Sequence, residues 1–137
     1  MKDHISAVRP RTLPKPAGFS YGYEVKSGRL VFVAGQVAVD AEGRIVGGGD
    51  LVAQFRQTCA NIHAVLSAAG GEMTDLVKLT IYVLDVAEYK KNLKGIGDVY
   101  REYFGKHFPA MTLVGARDLF DAVDGALIEI EGVAALA

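Results

Sequence analysis

Two glutamates near the end of the chain are placed where they could perform acid–base chemistry. Glu129 and Glu131 alternate with Ile128 and Ile130, so in a strand the two carboxylates share one face and the two isoleucines the other. A glutamate that loses solvating water acquires a raised pKa and becomes suited to proton transfer near neutral pH. The alternative is that both carboxylates are simply solvated or hydrogen-bonded on the polar face of a sheet.

The other reactive residue types form no second constellation in the sequence. His4, His63 and His107 lie too far apart for a metal-ligand spacing, so no metal site is expected. Cys59 falls on the apolar stripe of a predicted helix, where we expect core packing and not a reactive thiol. The glycine run at 47–49 lacks the spacing and the lysine of a phosphate-binding loop, and we expect no cofactor.

The composition is that of one small globular domain. The chain has 137 residues, 50% of them hydrophobic, which is enough for one sizeable core. A formal net charge of −1 gives no positive field for polyanions, so a nucleic acid partner is not expected. No apolar run approaches the roughly 20 residues that span a bilayer, and no secretory signal is visible. We therefore expect a cytoplasmic protein without a membrane partner.

Hydrophobic periodicity predicts an α+β domain with the element order βββαβαββ. Alternating residues predict a hairpin of strands 21–25 and 30–34 closed at Ser27–Arg29, and a short third segment at 44–46. Helical spacing follows Asp50 and stops at Gly70, and it returns after Asp85 in a second helix whose first half Gly95 and Gly97 make irregular. The remaining predicted strands are 75–84, 111–116 and 126–134.

Two further predictions concern the beginning of the chain and one strand. Residues 1–17 are spaced by prolines and predict an extended, loosely held leader ahead of a single domain at 18–137. The strand 30–34 is apolar at every position, which is typical of burial on both faces.

The predicted sheet has one face that the helices do not cover. With both helices on one face, the other face of a mixed sheet of six strands is left to solvent, although large apolar residues are predicted on it: Leu30 and Phe32 or their neighbours, together with Tyr82, Leu127 and Val133. Contiguous exposed apolar surface of this kind marks an interaction site. We therefore expect a second protein surface to cover this face.

The element order and four phrases of the sequence resemble the RidA/YjgF family. The phrases are LVFVAGQV, AVLSAAGGEMTDLVKLTIYVLD, VYREYFGKHFPAM and ALIEIEGVA, and the resemblance runs from about Tyr21 to Ala134. It implies a chorismate-mutase-like fold with a mixed six-stranded sheet and two helices packed on one face. It also implies a homotrimer whose sheets close into a central barrel, with small-molecule ligands bound at the subunit interfaces.

The resemblance also implies a reaction. Family members hydrolyse enamines and imines released by pyridoxal-phosphate enzymes, and they give a keto acid and ammonia. In the family pattern an arginine after Pro-Ala pairs with the substrate carboxylate, but here Met111 follows Pro109 and Ala110. A thioether offers neither charge nor donor to a carboxylate. The resemblance therefore implies a hydrolase or deaminase with an altered, uncharged or weakly polar substrate.

The family pattern assigns roles to six positions of this chain. Glu129 corresponds to the residue that orients or activates water, and Tyr21 to a pocket-lining tyrosine. Gly35 corresponds to the point where the backbone approaches the ligand, and Met111, Thr112 and Leu113 line the substrate pocket, with Thr112 in place of the usual serine. Beside Met111, Tyr21 and Leu113, with no cation nearby, the pKa of Glu129 is expected to rise.

Two other functions stay open at this point. One is a non-enzymatic trimer that binds a small metabolite or acts like a chaperone. The other is an endoribonuclease or translation inhibitor, a label that some family members carry. The only local feature favouring RNA is the basic side of the second helix, formed by Lys90, Lys91, Lys94, Arg101 and Lys106. The near-neutral net charge and the absence of interleaved exposed aromatics count against it.

Overall fold

The computed structural model describes residues 2–137 and has six strands and three helices. The strands are β1 Ile5–Val8, β2 Gly22–Val25, β3 Arg29–Gln36, β4 Leu76–Val83, β5 Ala110–Gly115 and β6 Ile128–Leu136, and the helices are α1 Leu51–Ala68, α2 Val86–Lys91 and α3 Leu93–Phe104. Short 3-10 turns lie at Met73–Asp75 and Ala122–Asp124. Met1, the first residue of the predicted leader, lies outside the described residues.

The six strands form two sheets. Four strands make a mixed sheet in the order β3-β6-β4-β5, in which β4 and β5 are parallel and the other pairs antiparallel. The strands β1 and β2 form a separate antiparallel pair. The α+β class and the number of strands predicted from the sequence are confirmed, but the strands do not lie in a single sheet.

The predicted hairpin between residues 21–25 and 30–34 is wrong. β2 pairs with β1, and β3 pairs with β6. Gly28 has a φ of 110°, and a Cβ there would lie 2.0 Å from the carbonyl oxygen of Leu136, so the chain turns tightly against the end of β6. It then continues into the four-stranded sheet and does not fold back on β2.

One of the six strands lies in the leader, and not at residues 44–46 where the sequence pattern predicted it. Residues 44–46 form only an isolated bridge between Val39 and Ile45, whereas Ile5–Val8 is a paired strand. The leader predicted for residues 1–17 is extended over β1, as expected, but there it is paired with β2 and not loosely held. The division of the chain at residue 18 stays a prediction.

The helices cover one face of the four-stranded sheet. Asp50 caps α1 by accepting a hydrogen bond from the backbone of Ala53, as its sequence position predicts. The predicted second helix is two helices, because the chain breaks at Asn92, whose side chain donates to the carbonyl of Glu88. Gly95 lets α3 approach α1 closely, since a Cβ there would lie 2.8 Å from Val52. Cys59 is buried in the core between these layers, as predicted.

The opposite face of the sheet, called here the outer face, is only partly covered within the chain. The β1–β2 pair packs over one end of it, where Ile5 and Tyr23 contact Ala135 and Val133. Beyond that end, Phe32 is 74% exposed and Leu30 51% exposed, so the burial predicted for both faces of residues 30–34 is wrong within one chain. Leu127, expected on this face, packs instead against the helical core.

Candidate functional site

Glu129 lies on the outer face of β6 beside a glycine. It is the register partner of Tyr82, while its neighbours Ile128 and Ile130 are buried on the helical side. The Glu129 carboxylate lies over the backbone of Gly35, at the bulge in β3, because a Cβ on Gly35 would be 2.0 Å from Glu129 Oε2. These two predicted site residues are therefore brought together, and the backbone of Gly35 is covered by the carboxylate.

The environment of Glu129 raises its pKa above the usual glutamate range. The main cause is loss of solvent around the half-buried carboxyl, and the negative charges of Asp121 and Glu131 add to it. The direction agrees with the prediction. The neighbours of Glu129 differ from the apolar ones that were predicted. Glu131 lies next to Glu129, and it accepts a hydrogen bond of 3.1 Å from the Tyr82 hydroxyl.

Met111 and Leu113 lie on the other side of the sheet from Glu129. They are register partners of the buried Leu79 and Ile81, and they pack against the helical core. Thr112 between them faces outward, and its hydroxyl accepts a hydrogen bond of 3.1 Å from Lys78 Nζ. Because β5 is an edge strand, Met111 and Leu113 remain reachable from its free edge.

Tyr21 lies on the β5 side of the molecule. The preceding residue, Ser20, forms a parallel bridge with Ala110, and its hydroxyl donates to the carbonyl of Phe108. The Tyr21 hydroxyl donates to the carbonyl of Pro14 at 2.8 Å, and its ring meets Phe19 edge to face. Tyr21 is therefore placed beside the first residues of β5, near Met111.

The six predicted site residues thus form two half-sites. Glu129 and Gly35 lie at the β3–β6 edge of the sheet, whereas Tyr21, Met111, Thr112 and Leu113 lie at the β5 edge, with β4 between them. Met111 and Leu113 also lie on the opposite face of the sheet from Glu129, so a small molecule on one face cannot contact all of them. Within one chain the predicted site residues therefore do not form a single cluster.

Comparison with known proteins identifies the family to which the chain belongs. A family model described as endoribonuclease L-PSP matches residues 12–136. A RutC family protein of Pyrococcus horikoshii is 39% identical over 121 residues, which are 88% of this chain and 90% of that protein. The chain belongs to this family, the RidA/YjgF family.

Two further relatives extend the comparison. The 2-iminobutanoate/2-iminopropanoate deaminase of Capra hircus is 33% identical over 125 residues, 90% of this chain and 85% of that protein. The crystal structure of a Rid family protein of unknown function from Yersinia pestis matches with a TM-score of 0.84 and 38% identity, over 97% of this chain and 99% of that chain. Deaminases are thus among the relatives of this RidA/YjgF protein.

One polar residue near the half-sites was not singled out from the sequence. Lys78 is the register partner of Ala110 and binds Thr112, so it brings a positive charge to the β5 half-site on the outer face. The alternation of Lys78, Thr80 and Tyr82 with apolar residues did predict that these three share a face, and this was the available signal. Within residues 2–137 there is no cluster of three potential metal ligands, and no helix could cross a membrane.

The loop that leads into β6 is fixed by a buried glutamine. Gln54 on α1 donates to the carbonyl of Gly125 at 2.9 Å and accepts from the backbone nitrogen of Leu127 at 2.8 Å. Its side chain is fully buried. The same loop carries Asp121, whose backbone oxygen accepts from Ala126. Gln54 thereby sets the position from which β6 starts toward Glu129.

We expect Gln54→Leu to lower the free energy of unfolding by about 2–4 kcal/mol, because it leaves one buried donor and one buried acceptor without partners. Chemical denaturation followed by circular dichroism measures this. Gln57→Leu on the same helix is the matched control, since the Gln57 amide donates only to the side chain of Asn61, and about 1 kcal/mol or less is expected there. Equal losses in the two variants would contradict the role given to Gln54.

The raised pKa of Glu129 predicts a pH-dependent gain in stability for Glu129→Gln. The folded chain holds this proton to a higher pH than the unfolded chain, so the free energy of unfolding falls as pH rises from the ordinary glutamate range through the raised folded value. We expect the variant to melt above the natural protein at about pH 7, with the gap closing below about pH 4. Glu24→Gln, an exposed glutamate on β2, is the control. A gap that persists at acid pH would contradict this origin.

Proposed function

We propose that this protein is a homotrimer that hydrolyses a reactive imine or enamine at sites formed between its subunits. The relatives named as deaminases support the reaction class. The observation that carries the proposal is the division of the site residues between two edges of the sheet. In a closed ring the β3–β6 edge of one subunit meets the β5 edge of the next, and each interface then contains one complete site.

The outer face supports the same assembly. Phe32, Leu30 and Val114 are exposed on it, and three such faces turned toward one axis would remove this apolar surface from water. Two pairs of polar residues on the face also bond within the chain, since Tyr82 donates to Glu131 and Lys78 to Thr112. These four side chains therefore keep a partner when the face is covered.

Glu129 is the acid–base group in this proposal. With its raised pKa the carboxylate takes a proton from water as the water oxygen attacks the imine carbon, and it passes this proton to the imine nitrogen to give a tetrahedral adduct with a hydroxyl and an amino group. The carboxylate then takes the hydroxyl proton as the carbonyl forms and returns it to the nitrogen, so that the C–N bond breaks, ammonia leaves and Glu129 is again ionised. The backbone of Gly35 allows the carboxylate to lie close to the β3 bulge.

The β5 half-site selects the substrate. Met111 and Leu113 offer an apolar surface at the free edge of β5, and neither side chain donates a hydrogen bond to a carboxylate. A substrate that carries a carboxylate would lose its solvation without gaining a paired cation from Met111, since the Lys78 ammonium bound to Thr112 lies on the opposite face of the sheet from Met111 and Leu113. We therefore propose an imine or enamine whose substituents are uncharged.

Ammonia release tests the proposal. Two imines are generated in the assay, one without a carboxylate by an amine oxidase acting on 1-phenylethylamine, and 2-iminopropanoate by an amino-acid oxidase acting on alanine. We expect the protein to accelerate hydrolysis of the first at least about tenfold and to lose this on Glu129→Gln. Full activity of Glu129→Gln would remove Glu129 from catalysis, and no acceleration of either imine would favour the non-enzymatic alternative.

A further inference from the structure

A second concave surface lies away from both half-sites. It is a groove of about 900 Å³ between the β1–β2 pair and the carboxyl-terminal end of α3, called here the hairpin groove. Neither Glu129 nor Met111 lines it. Its volume is in the range of small-molecule sites, which is about 300–1,000 Å³.

The hairpin groove concentrates positive charge in a chain whose net charge is −1. Arg9 from the end of β1, Lys26 from the end of β2 and Lys106 after α3 all line it, and Asp3 is the acidic residue among its lining residues. None of the three cations forms an ion pair with the part of the chain at 2–137. Lys2 also lines the groove, but Asp75 and Glu72 accept from it. The three unpaired cations and Asp3 leave a charge of about +2, which complements a dianion.

The floor of the hairpin groove is apolar and aromatic. Ile5 and Phe104 are buried beneath it. The ring of Tyr23 packs against the imidazole of His107 with centroids 5.6 Å apart. His107 Nε2 donates to the carbonyl of Leu76 at 2.6 Å, which fixes the ring. A flat or apolar group therefore has a surface to pack on next to the cations.

Contacts at one end of the hairpin groove fix the strands that line it. Lys2 binds the buried carboxylate of Asp75 at 2.7 Å, and His4 Nε2 donates to the carbonyl of Ala135 at 2.7 Å. The backbone of Lys26 donates to the carbonyl of His4. These contacts fix β1 and the end of β2 before any ligand arrives, so binding has little backbone to order.

We propose that the hairpin groove binds a small phosphate monoester with an aromatic or apolar body. The phosphate dianion lies among Arg9, Lys26 and Lys106, and the body packs over Tyr23 and Phe104. This site is separate from the proposed hydrolysis site, because it shares no residue with either half-site. It does not depend on the proposed function.

Isothermal titration at low ionic strength with phenyl phosphate tests the proposal, with inorganic phosphate and phenol as probes of the two parts. We expect phenyl phosphate to bind at least about tenfold more tightly than either part alone. Arg9→Ala and Lys106→Ala should each weaken it about tenfold, since each removes one charge-assisted hydrogen bond. Lys91→Ala and Lys94→Ala are the matched controls, because these lysines are exposed on α2 and α3 and do not line the groove.

Three outcomes would overturn the proposal. Phenyl phosphate that binds no better than inorganic phosphate would mean that the floor is not used. Equal weakening by the control substitutions would mean that the protein attracts anions by general charge alone. Undetectable binding of phenyl phosphate at millimolar concentration would remove the site altogether. Amide shifts of Ser6, Gly105 and Lys106 in nuclear magnetic resonance spectra should locate the ligand in the groove.

Discussion

Met111→Arg is expected to raise the rate of ammonia release from 2-iminopropanoate by about thirtyfold or more, because it restores a cation that can hold the substrate carboxylate. A paired charge of this kind contributes about 2–5 kcal/mol, which corresponds to factors from about thirty to several thousand. Met111 lies on the edge strand β5, so an arginine stem can follow the apolar surface while its guanidinium reaches the open edge. Steady-state ammonia release with both imines measures the change.

Two other substitutions at the same position distinguish the effects of the arginine's charge and hydrogen-bonding geometry from the effect of a change in packing. Met111→Leu keeps the apolar volume, and no gain on 2-iminopropanoate is expected. Met111→Lys adds a point charge without the bidentate fork, so a smaller gain than with arginine is expected. Activity of the natural protein on 2-iminopropanoate that equals the arginine variant would contradict the role given to Met111. Lys78, which already stands beside Thr112, would then be the cation that holds the carboxylate.

Mixed trimers test whether the two half-sites come from different subunits. The natural chain lacks the arginine, and a Met111→Arg/Glu129→Gln chain lacks the carboxylate, so each alone should be inactive on 2-iminopropanoate. After unfolding and joint refolding in equal amounts, about a quarter of the interfaces should pair an arginine from one chain with Glu129 of the other. Recovery of activity to about that level supports shared sites. No recovery, in mixtures shown to contain both chains, would mean that the sites lie within single subunits.

The sequence predicted the fold class because its periodicities are local. The stripe on α1, the alternation in β4 and the capping by Asp50 each depend on neighbours within a few residues, and all three are found. The predicted hairpin between β2 and β3 was wrong because the strand that does pair with β2 lies far from it in the sequence. Ile5–Val8 competes for β2 from across a proline-spaced segment, and the turn at Gly28 is set by its approach to Leu136. Pairing partners far apart in sequence leave no mark in a local pattern.

In the candidate site too, features set by the local sequence pattern were predicted and features set by remote parts of the chain were not. The alternation of Glu129 with Ile128 and Ile130 placed the carboxylate on the outer face, and the rise in its pKa was predicted. The neighbours that cause it were not, because Asp121 reaches Glu129 through a loop whose course Gln54 fixes from another element. The separation of Met111 from Glu129 follows from the strand order β3-β6-β4-β5. That order is decided by packing of the whole chain.

Phe32→Lys is expected to convert the proposed trimer into monomers at micromolar concentration. Phe32 is 74% exposed on the outer face of a single chain, and in the trimer its ring would be turned toward the other two subunits. A lysine there would bring three ammonium groups into a closed interior without partners, which costs several kcal/mol for each charge. Sedimentation velocity measures the mass, and circular dichroism checks that the chain remains folded.

Leu93→Lys is the matched control for this prediction. Leu93 is 54% exposed at the start of α3, in the layer opposite the outer face, so the same change of apolar to charged residue should leave the mass unchanged. A Phe32→Lys protein that keeps the mass of the natural protein would show that the outer face is not the contact. The two half-sites would then have to meet through other surfaces, because the strand order keeps them apart in every single chain.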